Sequence, residues 1–119
     1  MLNNCTLMGR LVKDPELRKT GNKTEVVNFT IAVERNYTNA DDEREVDFID
    51  CVAWRGTAKF IADYFEKGRM IIVNGELNIR KWEDDDGNKR RNAEITVISA
   101  YFGDSKKDTE DSKKKNKKR

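Results

Sequence analysis

Five stretches of alternating apolar and polar residues, each bounded by turn-forming residues, constrain this chain most. They are rich in valine, isoleucine, phenylalanine and threonine, the residue types that favour β-strands. The gaps between them include Asp14-Pro15, Thr20-Gly21-Asn22-Lys23 and Asp86-Gly87-Asn88, which are typical of turns. We therefore predict five strands, over 5–12, 26–35, 46–55, 70–82 and 91–102.

Only one segment has the apolar spacing of a helix. Residues 57–68 place apolar side chains at 58, 61, 62 and 65, after a capping-type Thr57 and before Gly68. This helix falls between the third and fourth predicted strands. The order β-β-β-α-β-β predicts an all-β fold, a five-stranded Greek-key barrel of the OB type. A chain of 119 residues has room for one such domain.

The end of the chain differs in composition from the rest. Residues 104–119 contain no aliphatic and no aromatic side chain, so they cannot bury enough surface to offset the entropy of ordering. We predict a folded OB domain over 1–103 and a disordered basic tail over 104–119. Two roles for the tail stay open, additional phosphate contacts or only a solubilising end.

The composition disfavours several classes of enzyme. The chain has no histidine, so it lacks the usual general base near neutral pH and the commonest metal ligand. Cys5 and Cys51 form no CxxC pair, which predicts neither a metal knuckle nor a disulfide framework. We predict a protein without catalytic activity, cofactor or metal. The first residues lack the pattern of an export signal and no apolar run reaches membrane-spanning length, so we expect the cytoplasm.

Alternation along the third predicted strand separates a core side from an outer side. Phe48 and Trp54 share their side with Asp50, a carboxylate that would not be left unpaired inside a barrel. Both aromatic side chains are therefore predicted to point outward. The opposite side is predicted to be core and holds Ile49, Cys51 and Ala53.

The fourth predicted strand repeats this pattern. Trp82 has the same parity as Arg80 and other polar residues, so it is predicted to lie outside the barrel. Lys81 has the inward parity, but near a strand end a bulge or a slip of one residue reverses the assignment. The predicted inward set is Ile71, Val73, Gly75, Leu77 and Ile79.

Flat and cationic side chains together on an outer face favour single-stranded nucleic acid. Stacking of a base on an aromatic ring contributes about 1–3 kcal/mol and does not depend on sequence, whereas a duplex hides the faces of its bases. Lys and Arg would neutralise the phosphates. Tyr37 lies in the loop 36–45, which is long enough to form a finger over a strand. The alternative for each outer aromatic residue is burial in a subunit interface.

Four short segments resemble the bacterial-type single-stranded-DNA-binding proteins. The resemblance implies an OB fold, usually a homotetramer, that wraps single-stranded DNA during replication, recombination and repair. It also implies that the bases stack on Tyr37, Phe48, Trp54 and Trp82. The segments are Leu7-Met8-Gly9-Arg10-Leu11 with Lys13-Asp14-Pro15-Glu16-Leu17-Arg18, Asn28-Phe29-Thr30-Ile31-Ala32-Val33, Asp47-Phe48-Ile49 through Trp54, and Gly75-Glu76-Leu77 with Arg80-Lys81-Trp82.

The sequence departs from this family at its end. Family members carry a Gly- and Gln-rich linker and an acidic tip with a terminal Pro-Phe, which recruits replication and repair enzymes. Here residues 113–119 are basic apart from one asparagine. Recruitment of recombination or replication proteins through an acidic tip is therefore not implied. A short variant encoded by a bacteriophage or a mobile element fits this departure.

We predict that a homotetramer binds and protects single-stranded DNA without sequence preference. The alternatives are a structured-RNA binder, an OB-fold protein-interaction module and a nuclease that uses the acidic turns. The predicted nucleic-acid-binding residues are Tyr37, Phe48, Trp54 and Trp82 for the bases, and Arg35, Arg55, Arg80 and Lys81 for the phosphates.

Overall fold

The computed structural model describes residues 1–38, 40 and 43–104, with the side chains of Tyr37 and Thr38 left out. These residues form six strands and one helix. The elements are β1 (Cys5–Leu11), β2 (Glu16–Lys19), β3 (Glu25–Thr38), β4 (Arg44–Trp54), α1 (Arg55–Tyr64), β5 (Met70–Glu83) and β6 (Lys89–Phe102).

The strands form one sheet in the order β1-β5-β6-β4-β3-β2, and an additional β1–β3 pairing closes five of them into a barrel. Neighbouring strands are antiparallel except for the parallel β4–β6 pair. The predicted five-stranded OB-type barrel, with its helix between the third and fourth predicted strands, is confirmed.

Strand β2 is the element that the sequence pattern did not predict. It extends β3 outside the barrel, where Leu17 lies opposite Val27. All of its residues are exposed, so no buried face imposes the apolar alternation by which strands are recognised in a sequence.

The barrel interior is filled by β-branched and aromatic side chains from five strands and the helix. Cys51, Ala53, Ile71 and Val73 are fully buried, and Ile49 packs against them, as predicted. The buried cluster comprises Leu11, Val27, Phe29, Ile31, Cys51, Ala53, Ala58, Ile61, Phe65, Ile71, Val73, Ile95 and Val97.

The prediction that Leu77 and Ile79 point into the core is wrong. They are 44% and 49% exposed, because the second half of β5 pairs only with the first half of β6 and continues past the barrel. This two-stranded extension, residues 76–83 with 89–96, is called the arm below. Apart from the buried Ile95 opposite Leu77, neither of its faces is packed on a core, so alternation along this part of β5 carries no information about burial.

The helix begins and ends earlier than predicted. Strand β4 runs into α1 without a loop, and Arg55 makes the change of direction with a φ of 56°. Thr57 is not the cap, because Trp54 holds the N-cap position and the Thr57 hydroxyl donates to the Ile98 carbonyl (3.3 Å). Gly68, with a φ of 86°, lies in the turn after the helix.

A bulge separates the barrel part of β5 from the arm. The β5–β6 register shifts between Asn74 and Gly75, and such a shift bends and twists the paired strands. A Cβ atom on Gly75 would lie 1.9 Å from the Thr96 carbonyl oxygen. Only glycine allows this approach of the two backbones, so Gly75 sets the point from which the arm extends.

The last described residue, Asp104, forms an ion pair. Arg69 is buried and its Nε donates to Asp104 (3.1 Å), while its guanidinium lies 4.9 Å from the ring centre of Phe102. The predicted tail beyond Asp104 lies outside the described residues. Within the described ranges, no helix is long and apolar enough to cross a membrane.

Candidate nucleic-acid interface

Strand register brings three of the predicted aromatic side chains to one face of the sheet. Phe48 and Trp54 have the parity of Asp50 on β4, and Asp50 lies opposite Glu94 on β6. Four residues before Glu94, on the same face of β6, Arg90 lies opposite Trp82. No register shift falls between these pairs, so Phe48, Trp54 and Trp82 share the face. We call it the aromatic face.

The two β4 aromatic rings are uncovered for local reasons. Phe48 is 67% exposed, and its neighbour on β3 is the small Ala32. Trp54 is 44% exposed and ends β4 in an extended conformation (φ −125°, ψ 151°), so its ring keeps the orientation of a strand residue. With a strand rise of about 3.3 Å per residue, the two rings stand about 20 Å apart along β4.

Trp82 occupies the arm together with basic side chains. It is 47% exposed, and the guanidinium carbon of Arg80 lies 5.9 Å from its ring centre. Arg80 and Arg90 lie on the face of Trp82, whereas Lys81 lies opposite Arg91 on the other face of the arm. An arginine beside an indole ring supplies a cation for a phosphate next to a stacking surface for a base.

Asp84 organises the turn at the tip of the arm. Its carboxylate accepts hydrogen bonds from the backbone N–H groups of Asp86 and Asn88 and from Nε of Arg90 (3.0, 2.8 and 3.0 Å). The backbone hydrogen bond from Asn88 and then the bond from Arg90 hold the pKa of Asp84 below its ordinary value. Gly87 completes the turn with a φ of 82°, so the predicted hairpin forms where expected.

Three basic residues of the arm are absent from the predicted nucleic-acid-binding residues. The Asp86-Gly87-Asn88 turn was recognised, and counting backward and forward from it would have placed Arg90 opposite Trp82. The signal was therefore present in the sequence, in the register that the turn imposes. The three residues are Lys89, Arg90 and Arg91.

Arg35 is held by carboxylates. Its Nε and Nη2 donate to the two oxygens of Asp47 (3.0 and 3.1 Å), and its Nη1 lies 2.8 Å from Glu45. The hydrogen bonds from Arg35 hold the pKa of Asp47 below its ordinary value. This network ties β3 to β4 just before residue 37. The side chain of Tyr37 lies outside the described residues.

The position of Arg55 differs from that of the other predicted basic residues. It is the first residue of α1, directly after Trp54, and its side chain is exposed. An exposed cation therefore directly follows Trp54 in the chain at that end of the aromatic face. Arg80 occupies the corresponding position at the other end, beside Trp82.

A groove of about 680 Å³ lies over β3, β4 and β6 beside the aromatic face, and Arg80 is among its lining residues. Its floor includes Asn28 and Thr30 from β3, and residues of β4 and β6. Lys13, Lys67 and Arg80 are the basic residues that line it. Polar groups thus cover the floor, and cations lie among the lining residues.

A second aromatic cluster lies apart from this face. Phe65 and Phe102 stack at 4.8 Å, with Phe60 and Tyr64 at their edges. Phe65 belongs to the buried core, so this cluster mainly holds α1 against the end of β6. In the part of the chain that the structure describes, no group of three or more His, Cys, Asp or Glu side chains could hold a metal ion.

Comparison with known proteins places the fold in a family. The model of the Single-strand binding protein family matches residues 2–102. The chain belongs to this family.

The similar proteins carry the same description in their names. Single-stranded DNA-binding protein 2 of Listeria monocytogenes is 44% identical over 102 residues, which are 86% of this chain and 64% of that protein. Single-stranded DNA-binding protein A of Bacillus subtilis is 45% identical over 102 residues, 86% of this chain and 59% of that protein. The Single-stranded DNA-binding protein of Enterococcus faecalis is 46% identical over 89 residues, 75% of this chain and 47% of that protein. The chain thus spans about two thirds or less of the length of the relatives it matches.

Proposed function

We propose that this chain binds and protects single-stranded DNA without sequence preference. Its relatives' names describe them as single-stranded-DNA-binding proteins. The bases stack on Phe48, Trp54 and Trp82 of the aromatic face and on Tyr37. Their phosphates contact the nearby basic side chains. These are Arg55 and Arg80 beside the exposed rings, with Arg35 and Lys81 as further phosphate contacts.

The observation that carries this proposal is the shared face of Phe48, Trp54 and Trp82. Three large rings, each more than two-fifths exposed, share this face with polar side chains such as Asp50 and Arg80. Stacking uses the faces of unpaired bases, so a duplex is a poor ligand. Arginines at the two ends of the face supply phosphate contacts that do not depend on sequence.

Tryptophan fluorescence tests the proposal directly, because both tryptophans of the chain lie on this face. Titration with oligo(dT) at low salt should quench the fluorescence. Alanine at Trp82 or Phe48 should weaken binding by about 1–3 kcal/mol each. Tyr64→Ala is the matched control, since Tyr64 is 58% exposed on α1, away from the face. Absence of quenching, or equal losses in the control, contradicts the proposal.

The same titration separates the alternatives. A structured-RNA binder would prefer an RNA hairpin to oligo(dT) in competition. A protein-interaction module would keep any DNA binding when Trp54 and Trp82 are both replaced. A nuclease would cleave the oligonucleotide in the presence of magnesium, whereas the proposed binding protein leaves it intact.

We further propose a homotetramer that acts in replication, recombination and repair in the cytoplasm, with replication or recombination proteins as partners. The apolar stripe Met8, Ile72 and Tyr101 on β1, β5 and β6 supports assembly, since the three residues lie in one cross-strand row. Met8 and Tyr101 are 52% and 56% exposed. The solution mass should be four times the chain mass, and Met8→Glu should lower it. A monomeric mass would contradict the assembly but not the DNA binding.

A further inference from the structure

Two carboxylates lie in the middle of the aromatic face. Asp50 of β4 and Glu94 of β6 are directly opposite each other in the parallel pairing of the two strands. Both side chains are partly buried, and both line the groove of about 680 Å³. Like charges placed opposite each other across strands disfavour the pairing. The two carboxylates also repel the phosphates of a polyanion, although they lie on the surface proposed to bind one.

Within the described part of the chain, no Lys or Arg side chain forms an ion pair with either carboxylate. Asp50 accepts hydrogen bonds from two neutral side chains, the Thr30 hydroxyl (3.0 Å) and the Asn92 amide (2.6 Å). Glu94 has no hydrogen bond or ion pair with any described residue. These neutral bonds fix the orientation of Asp50 and leave its charge in place.

The basic residues that line the groove do not belong to the strand segments that form its floor. Lys13 precedes β2 and Lys67 follows α1, while Arg80 belongs to the arm. The acidic Asp14 accepts a hydrogen bond from the backbone N–H of Lys67 (2.7 Å), and Glu16 also lines the groove. The basic groups therefore come from the surrounding loops and the arm, and the sheet floor between them is negative.

We propose that the Asp50–Glu94 pair is a specificity element of the interface, which keeps phosphates off the floor and selects strands that present bases to it. This inference rests on the proposed function. A single strand can turn its bases toward the rings and its phosphates toward Lys13, Lys67 and Arg80. A duplex, or a sulfated polysaccharide, can only offer anionic groups to the floor and is therefore disfavoured.

The size of the effect follows from Coulomb attraction and repulsion at a solvated surface. Two unit charges 4 Å apart interact by about 1 kcal/mol in water, and more at a partly buried site. Removing one carboxylate should therefore strengthen binding of an anion at the floor about threefold to tenfold. A strand whose phosphates stay with the basic groups should gain much less.

The test compares Asp50→Asn and Glu94→Gln with the unaltered protein. The probes are oligo(dT), a duplex of the same length and heparin, each at several salt concentrations. Asp63→Asn is the matched control, since it removes one negative charge from an exposed position on α1. We expect duplex and heparin to bind the two variants about threefold to tenfold more tightly, with oligo(dT) affinity changed less than about twofold. The Asp63→Asn control should keep the ratio of oligo(dT) to duplex affinity of the unaltered protein.

Two results would overturn the inference. In one, the ratio of oligo(dT) to duplex affinity is the same in all four proteins. In the other, Glu94→Gln weakens oligo(dT) binding, which would mean that the carboxylates hold the bases. Glu94→Gln breaks no described hydrogen bond, so it reports on charge even if Asp50→Asn disturbs the fold. Failure of the proposed function is distinct, since the unaltered protein would then not bind oligo(dT) at all.

Discussion

Trp82 and Arg90 lie directly opposite each other across the arm, and Arg90 also donates a hydrogen bond to Asp84 in the turn. The ring, the cation and the turn are thus one connected unit. The arm has no core of its own, so cross-strand contacts of this kind are its main source of order.

Replacing Arg90 should weaken binding of single strands more than replacing a basic residue elsewhere. Arg90→Ala removes a cation beside the Trp82 ring, and each lost phosphate contact lowers the salt dependence of log K by about 0.7 for a single strand. The measurement is oligo(dT) affinity at several salt concentrations. Lys59→Ala, on the exposed side of α1, is the control and should leave the slope unchanged. If log K depends equally on salt concentration in the two variants, Arg90 makes no phosphate contact.

Asp84 should stabilise the arm only when it is ionised. Its pKa is lowered in the folded state, so its contribution is present above the ordinary value of 3.8 and is lost as the pH falls through the lowered folded-state pKa. Asp84→Asn should therefore lower the midpoint of thermal unfolding near pH 7, and the difference from the unaltered protein should shrink on acidification below pH 3.8. Asp85→Asn, on the neighbouring exposed residue, should show no such trend. If the difference in unfolding midpoint between Asp84→Asn and the unaltered protein does not change with pH, the negative charge of Asp84 does not stabilise the arm.

Gly75 should tolerate no side chain. A Cβ atom 1.9 Å from the Thr96 carbonyl oxygen forces the β5 and β6 backbones apart, so Gly75→Ala should cost more than about 2 kcal/mol in the free energy of unfolding. Chemical denaturation measures this loss. At Gly21 a Cβ would meet no atom within 4 Å, and Gly21→Ala should change stability by less than about 1 kcal/mol. Similar values for the two variants would refute the close approach at the bulge.

The two cysteines should differ in reactivity. Burial, followed by the nearby Asp50 and Glu94 charges, raises the pKa of the Cys51 thiol to about 12, so hardly any thiolate forms at pH 8. Cys5 is only partly buried. A disulfide reagent at pH 8 should modify Cys5 in the native protein and Cys51 only after unfolding. Rapid native labelling of the Cys5→Ser variant would show that Cys51 is accessible.

Prediction from the sequence succeeded where one strand face is buried against the core. Cys51 and Ala53 alternate with Phe48 and Trp54 because the barrel imposes a period of two, so the outward position of both rings could be read directly. It failed for Leu77 and Ile79, which alternate in the same way on an arm that has no core beneath it. Strand β2 was not predicted for a related reason. All of its residues are exposed, and apolar residues alternate with polar ones only where one face of a strand is buried.

Sequence alone predicts the number and order of the barrel strands, the outward parity of Phe48 and Trp54, and the hairpin at Gly87. All of these follow from local alternation and turn chemistry, which act over a few residues. Three relationships emerge only in the folded barrel: Trp82 shares a face with Phe48, Arg35 is held by Asp47, and Asp50 lies opposite Glu94. These relationships depend on the register between strands distant in sequence, and register is fixed by packing and closure of the whole barrel.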